Sequence, residues 1–255
     1  MYDYHVHSNY SDGDFLSRMV SAAADAGLDG VGIADHCNVS RRRPLRREKR
    51  LLGFTLDATY DRRREAIREL RERVDPAVYD AVEMDYDPRD EARVREFLDR
   101  AGFDYAVGSV HHVGDTNVQS AGEWADRPEA ERRAVVEEYF DALVSLVESE
   151  LFDVLAHPDV FERTGHLRGF ATDEQYRRVA AALADSRTVP EINAGRVLDD
   201  YGAFHPTPGF LDALEREGVG VTVGSDAHAP DEIAPRIERL GAELDRRGLE
   251  PVEIV

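Results

Sequence analysis

Two histidines separated by one residue, His5-Val6-His7, stand in the short apolar run that opens the chain, and that spacing is the first chemical signal. On an extended strand, residues i and i+2 point to the same side of the pleat, so both imidazoles can grip one metal ion. Such pairs also arise by chance in cores and on surfaces, so this one gains its weight from its company. Six of the nine histidines (His5, His7, His36, His111, His157 and His228) lie at or just beyond the ends of runs that read as strands. Glu83 and Asp226 occupy equivalent places, and Asp12 lies in the first loop. Random placement would scatter these residues over helices and the opposite face. Neutral imidazole together with carboxylate suits zinc, manganese or iron, whereas a calcium or magnesium site is mostly oxygen. One tetrahedral or five-coordinate ion takes about three or four protein ligands, so the inventory predicts two or three divalent ions with a carboxylate bridging a pair.

The elements that must position these groups follow from periodicity. Short apolar runs alternate with longer amphipathic, charge-rich stretches, the pattern of βα units around a parallel sheet. Seven strand candidates end at His7, His36, Glu83, His111, His157, Asn193 and Asp226, and Pro251–Val255 could supply an eighth. Helical patterns cover Asp14–Ala26, Pro88–Ala101, Pro128–Glu148, Asp173–Ala184, Pro208–Glu217 and Pro230–Arg247. In a parallel barrel the C-terminal strand ends open onto one face, so residues far apart in sequence converge there. The expectation is an α/β fold, a distorted barrel with a metal cluster at the C-terminal strand ends. Nothing in the 255 residues reads as a linker, so one domain over 1–255 is expected.

Composition narrows the partners. No stretch approaches the apolar length of a membrane span and no basic, apolar leader precedes Tyr4-His5, so a cytoplasmic protein is expected. Cys37 is the only cysteine, which excludes an intrachain disulfide, and a small apolar filler is its default role. The net charge is −20, and Lys49 is the only lysine among 32 basic residues. Such a surface repels nucleic acid and anionic membranes but keeps a protein hydrated where salt screens its self-repulsion, which points to a high-salt cytoplasm. One basic run, Arg41 to Arg50, breaks the pattern directly after His36 and should lie on the site's face. A solvated loop pairing with nearby carboxylates is the plainer reading of it, and gathering of an anionic substrate the sharper one. Periodicity fixes no oligomeric state.

Taken in order, several segments resemble the polymerase and histidinol phosphatase (PHP) superfamily, and within it the histidinol-phosphatase branch. They are His5-Val6-His7-Ser8 with Ser11-Asp12-Gly13, Ala34-Asp35-His36, Glu83-Met84-Asp85-Tyr86, Gly108-Ser109-Val110-His111-His112, Ala156-His157-Pro158, Glu191-Ile192-Asn193 and Gly224-Ser225-Asp226-Ala227-His228. The resemblance spans nearly the whole chain. It implies a distorted (β/α)7 TIM-like barrel holding a trinuclear site: His5, His7, Glu83 and Asp226 around a first ion, Glu83 bridging to a second held by His111 and His157, and Asp12, His36 and His228 on a third. No ligand position is empty. The implied chemistry is phosphomonoester hydrolysis, in which water held between two cations loses a proton near neutral pH and attacks phosphorus in line. Glu83 and Asp226 would then serve catalysis as well as ligation.

Other roles are more loosely drawn. Arg196 resembles the family's substrate-phosphate arginine, and a guanidinium fork matches phosphate geometry. Arg163, in the loop after His157, is a comparable candidate for substrate binding. His112 could bond the phosphate or assist the leaving alkoxide, or simply support His111. His166 and His205 read as ordinary loop histidines. The turn Asn193-Ala194-Gly195-Arg196 is shorter than the Asn-Thr-Ser-Gly type usual in the phosphatase branch, and the Arg-rich run is also unusual, so both bear on pocket size. L-Histidinol phosphate, in histidine biosynthesis, is the implied small phosphorylated substrate. The rival readings are a phosphatase of another monoester or nucleotide, a phosphodiesterase or exonuclease, and a non-catalytic metal-binding module. Absence of an extended basic face or an aromatic stacking platform weighs against nucleic acid.

Overall fold

The computed structural model describes residues 1–255. The chain opens with strand β1 (Tyr2–Val6), buried over its last four residues, and helix α1 (Leu16–Asp25), which buries Leu16, Met19, Val20 and Ala23 at helical spacing. β2 (Gly30–Ile33) and the short β3 (His36–Cys37) follow, then α2 (Arg43–Leu52), α3 (Leu56–Arg71) and the long β4 (Ala77–Asp85). Next come α4 (Glu91–Ala101), β5 (Tyr105–Ser109), the hairpin β6 (His112–Val113) and β7 (Thr116–Asn117), α5 (Ala121–Trp124) and α6 (Glu129–Glu148). β8 (Val154–Leu155), α7 (Asp173–Ala184), β9 (Val189–Asn193), α8 (Pro208–Arg216), β10 (Thr222–Gly224) and α9 (Pro230–Arg247) complete the order.

The sheet runs β1-β2-β4-β5-β8-β9-β10 with every pair parallel, and β3 adds to β4 by pairing His36 with Glu83. Beyond β10 the chain returns to β1: Asp226 donates its N–H to the His5 carbonyl at 2.7 Å, and His7 donates to Ala227 at 2.9 Å. These two bonds close a distorted seven-stranded barrel. Tyr105 on β5 donates its hydroxyl to the carbonyl of Tyr4 on β1 at 2.6 Å, across two intervening strands, so the lumen is filled with side chains. Gly32 permits that crossing, because a Cβ there would meet the Tyr105 hydroxyl. The helices bury their apolar stripes against the outside of the barrel, where the largest cluster gathers Phe140, Phe161, Phe152 and Trp124.

Two sequence expectations change. From Arg43 onward the Arg-rich run is helical, not a loop: Pro44 stands in the first turn of α2, Gly53 ends it with φ 78°, and only Leu45 is buried. Those start and stop signals were present, but the run has almost no apolar face for periodicity to detect. Pro251–Val255 forms no strand; Val252 donates to the Val221 carbonyl at 2.7 Å and Ile254 to the Tyr4 hydroxyl, without a ladder. Helix α3, unread in the sequence, supplies a buried arginine described below.

Candidate metal centre

Glu83, near the end of β4, is the hub. Its Oε1 lies 2.9 Å from His157 Nε2 and 3.4 Å from His111 Nε2, and its Oε2 lies 2.6 Å from His36 Nδ1, 3.4 Å from His5 Nε2 and 3.6 Å from His7 Nε2. His7 Nε2 also stands 3.2 Å from His5 Nε2 and 3.2 Å from Asp226 Oδ1. At the mouth, Asp12 Oδ1 lies 3.4 Å from His228 Nε2 and 3.9 Å from both His7 Nδ1 and His36 Nε2. All nine residues singled out from the sequence are therefore contiguous, on the C-terminal ends of six strands. His7 belongs to two groups, one with His5 and Glu83 and one with Asp12, His36 and His228, so the cluster is shared more tightly than a three-way partition suggests.

The donor set fits metal ions. Ligands about 2.1 Å from one ion at tetrahedral angles lie about 3.4 Å apart, which matches the spacing of most of these pairs. Glu83 Oε2 is buried and accepts no hydrogen bond, although three imidazole nitrogens surround it. A carboxylate in that position is satisfied by cations. His157 and Asp226 hold left-handed backbone, φ 23° and 52°, a conformation that costs non-glycine residues energy and persists where surrounding structure enforces it.

Burial and neighbouring charges set the protonation states. Burial, with His228 and His36 close by, pushes His7 down to about 4, and burial also lowers His157, so both rings are neutral and free to ligate near pH 7. Burial opposes ionisation of Glu83 and Asp226, yet His36 and His5 beside the former and the His7 hydrogen bond to the latter hold both well below the carboxylate range. Burial alone would lower His36, but Glu83 raises it to about 10; a cation in the cluster would take over that proton's role.

A second layer aims the ligands. His5 Nδ1 faces both oxygens of Glu191 at 3.0 and 3.1 Å, which leaves Nε2 for a metal. His111 Nδ1 is held by Asp85 in the same way. Asp35 accepts from Ser8 N at 2.6 Å and from the Ser8 and Ser11 hydroxyls, each at 2.8 Å, so it clamps the loop that carries Asp12. Arg63 of α3, fully buried, joins Asp35 at 2.8 Å to Asp80 at 2.7 Å. Sequence reasoning assigned no role to Glu191, Asp85, Asp35 or Arg63. For the three carboxylates, the available signal was an acid within two residues of a strand-end ligand or polar group.

The chain matches the PHP domain family over residues 3–194. It belongs to that family. It is 27% identical over 219 residues to a protein named "Probable histidinol-phosphatase" from Deinococcus radiodurans, covering 84% of this chain and 80% of the relative. It is 26% identical over 238 residues to the histidinol-phosphatase of Lactococcus lactis subsp. lactis, covering 89% and 83%. Among solved structures, the histidinol phosphate phosphatase of L. lactis, crystallised with zinc, L-histidinol and phosphate, superposes with a TM-score of 0.77 at 21% identity, covering 98% of this chain and 95% of that one. No helix of the chain is long and apolar enough to cross a membrane.

In this PHP domain the cluster opens into a cavity of about 280 Å³ that Arg163, Arg196, Gln119 and Gly195 also line. Arg163 is held from several sides: it donates from Nη2 to Asp226 Oδ2 and Asn193 Oδ1, both at 3.2 Å, and from Nε to His205 Nε2 at 3.0 Å. His205 is fully buried with Nδ1 against Asp159 at 2.6 Å, and burial keeps it neutral, so its Nε2 can accept. Reading His205 as an ordinary loop histidine is thus corrected; His166 does lie in a loop at the half-buried surface. Arg196 is exposed and pairs with Asp199 at 2.8 Å while still lining the cavity. Gly195 passes so close that a Cβ would sit 2.3 Å from Asp226 Oδ2. Next to this cavity lies a smaller one of about 180 Å³, walled by Phe54, Leu45, Glu48, Asn117 and His112. His112 Nε2 meets Glu48 Oε2 at 2.7 Å; burial lowers its proton affinity, but Glu48 and Asp85 raise it more.

Proposed function

We propose that the protein is a metal-dependent phosphomonoester hydrolase acting on L-histidinol phosphate in the cytoplasm, with two or three zinc, manganese or iron ions held by His5, His7, Asp12, His36, Glu83, His111, His157, Asp226 and His228. The observation that carries this reading is the buried carboxylate of Glu83 ringed by five imidazoles beside an arginine-lined cavity. When bound, the ions acidify a water and neutralise charge on the phosphoryl oxygens. The chain does the rest. Arg163, fixed by His205 and Asn193, and Arg196 at the rim bind the phosphate. His112, kept protonated by Glu48, donates a proton to the departing alkoxide.

The adjoining cavity speaks to the leaving group. Its three carboxylates, Asp12, Glu48 and Asp85, outnumber its cations, Lys49 and the protonated His112; Asn38, Asn117 and Gln119 supply amides, and Phe54 supplies a flat apolar wall. That combination suits a cationic amino alcohol carrying an imidazole and disfavours an anionic leaving group. The test is phosphate release from L-histidinol phosphate, nucleotides, sugar phosphates and phosphoserine by metal-loaded protein in high salt. The reading expects histidinol phosphate to lead in kcat/KM by at least tenfold. Preference for a nucleotide or sugar phosphate would overturn the substrate, and no release from any ester would overturn the hydrolase.

A further inference from the structure

A third cavity, of about 510 Å³, lies on the far side of α2 from the metal centre. Six cationic side chains line it: Arg41, Arg46, Lys49, Arg50, Arg93 and Arg100. Only two lining residues, Asp57 and Glu96, are acidic. The wall thus carries four net positive charges in a chain whose total is −20. Lys49 meets Asp57, and Arg93 meets Asp90 at 3.2 Å. Arg41, Arg46, Arg50 and Arg100 have no carboxylate within ion-pair distance, although acids outnumber bases across the protein by 52 to 32. Arg100 instead rests over the ring of Phe97, 5.4 Å from its centroid.

Four unpaired guanidiniums drawn together repel one another, and an acidic surface offers abundant partners that the fold has not used here. We propose that this cavity is a binding site for a small anion carrying two or more phosphate groups, distinct from the catalytic phosphate site. Guanidinium forks match phosphate oxygens in pairs, and four exposed arginines gathered around one open cavity suit a compact polyanion that several of them reach at once. The site is also wired to the metal centre. Lys49 borders both this cavity and the leaving-group cavity, and Glu48 beside it holds His112. An anion drawing Arg46 and Arg50 outward therefore acts on the same helix that positions the proposed proton donor.

The test is a fluorescence titration of the metal-loaded protein with 8-hydroxypyrene-1,3,6-trisulfonate, a trianion that offers no phosphate ester to hydrolyse, at a salt concentration that preserves the circular dichroism spectrum. The readout needs no turnover, so it stands or falls independently of the proposed activity. Saturable binding is expected that fructose 1,6-bisphosphate displaces, that weakens with added salt, and that falls at least tenfold in the R46Q/R50Q/R100Q variant. The control R177Q/R216Q/R239Q makes the same charge change at exposed arginines elsewhere and should bind as the parent does. Equal weakening in both variants, or unaltered binding in the first, would overturn the site. Displacement by a 20-residue oligonucleotide but not by the bisphosphate would assign the cavity to nucleic acid and overturn the proposed ligand.

Discussion

Replacing Arg63 with methionine removes the charge that joins the floor of the barrel to the metal-bearing loop. The guanidinium is fully buried and donates to Asp35, Asp80 and the Ala81 carbonyl. Breaking a buried charged network by removing one partner costs about 3–5 kcal/mol, because the remaining charge is left uncompensated. Two features place this site near the lower bound. Asp80 keeps Arg64 Nε at 2.7 Å, and Asp35 keeps its three bonds from Ser8 and Ser11. A loss of about 3 kcal/mol is a large share of the ~5–15 kcal/mol that holds a typical domain, yet it leaves the variant folded. At about 2–4 °C per kcal/mol for a chain of this size, Tm should fall by roughly 6–12 °C. Asp35 becomes harder to keep ionised, so its grip on the Asp12 loop loosens and metal affinity at the Asp12, His36 and His228 corner should drop about tenfold. Urea unfolding in chelator measures the first quantity and metal per chain under a competing chelator the second. Adding D35N to R63M should recover part of the stability, since it removes the orphaned charge. A loss below 1 kcal/mol with unchanged metal content would refute the view that Arg63 props the centre.

Four further outcomes follow from the same geometry. E83Q should lower bound metal and abolish phosphate release, and unchanged turnover would sink the role of Glu83 as hub. Chelation should lower Tm, with recovery on adding zinc or manganese that grows by about 1.4 kcal/mol per tenfold metal above Kd; a Tm indifferent to metal would contradict the cluster. H205L removes the acceptor of the Arg163 Nε while Asn193 and Asp226 keep its Nη2, so KM for the phosphate ester should rise several-fold while kcat changes less, and a loss confined to kcat would argue against positioning through Arg163. Burial lifts Asp3 from 3.8 to about 6 despite its bonds from Ser225 and His5. The folded state therefore holds that proton more tightly, and the stability it contributes is complete below 3.8 and lost as pH rises through about 6, a span worth about 3 kcal/mol. Wild type should accordingly lose about 2 kcal/mol of that relative to D3N between pH 4 and 7 in denaturant titrations, and a constant difference would refute the account.

The sequence by itself determined the barrel and the identity of its polar strand ends. Strand register alternates every residue, and a parallel sheet puts all its C-termini on one face, so His5, His7, Glu83, His157 and Asp226 could be placed together from local pattern alone. What it left open were the contacts that join segments far apart in the chain. Glu191 supports His5 across 186 residues and Arg63 ties Asp35 to Asp80, but neither spacing has a period that local pattern can register. His205 looked like a loop histidine because its partners, Asp159 and Arg163, lie more than forty residues away. The basic run shows the same limit from the other direction: its composition was plain, but only the tertiary structure, which sets α2 and α4 on two sides of one cavity, revealed that its arginines share that space with Arg93 and Arg100. Local sequence fixes which groups a strand end presents, whereas tertiary packing decides which buried charges meet, because the cost of leaving a charge unpaired is settled only once the whole barrel has closed around it.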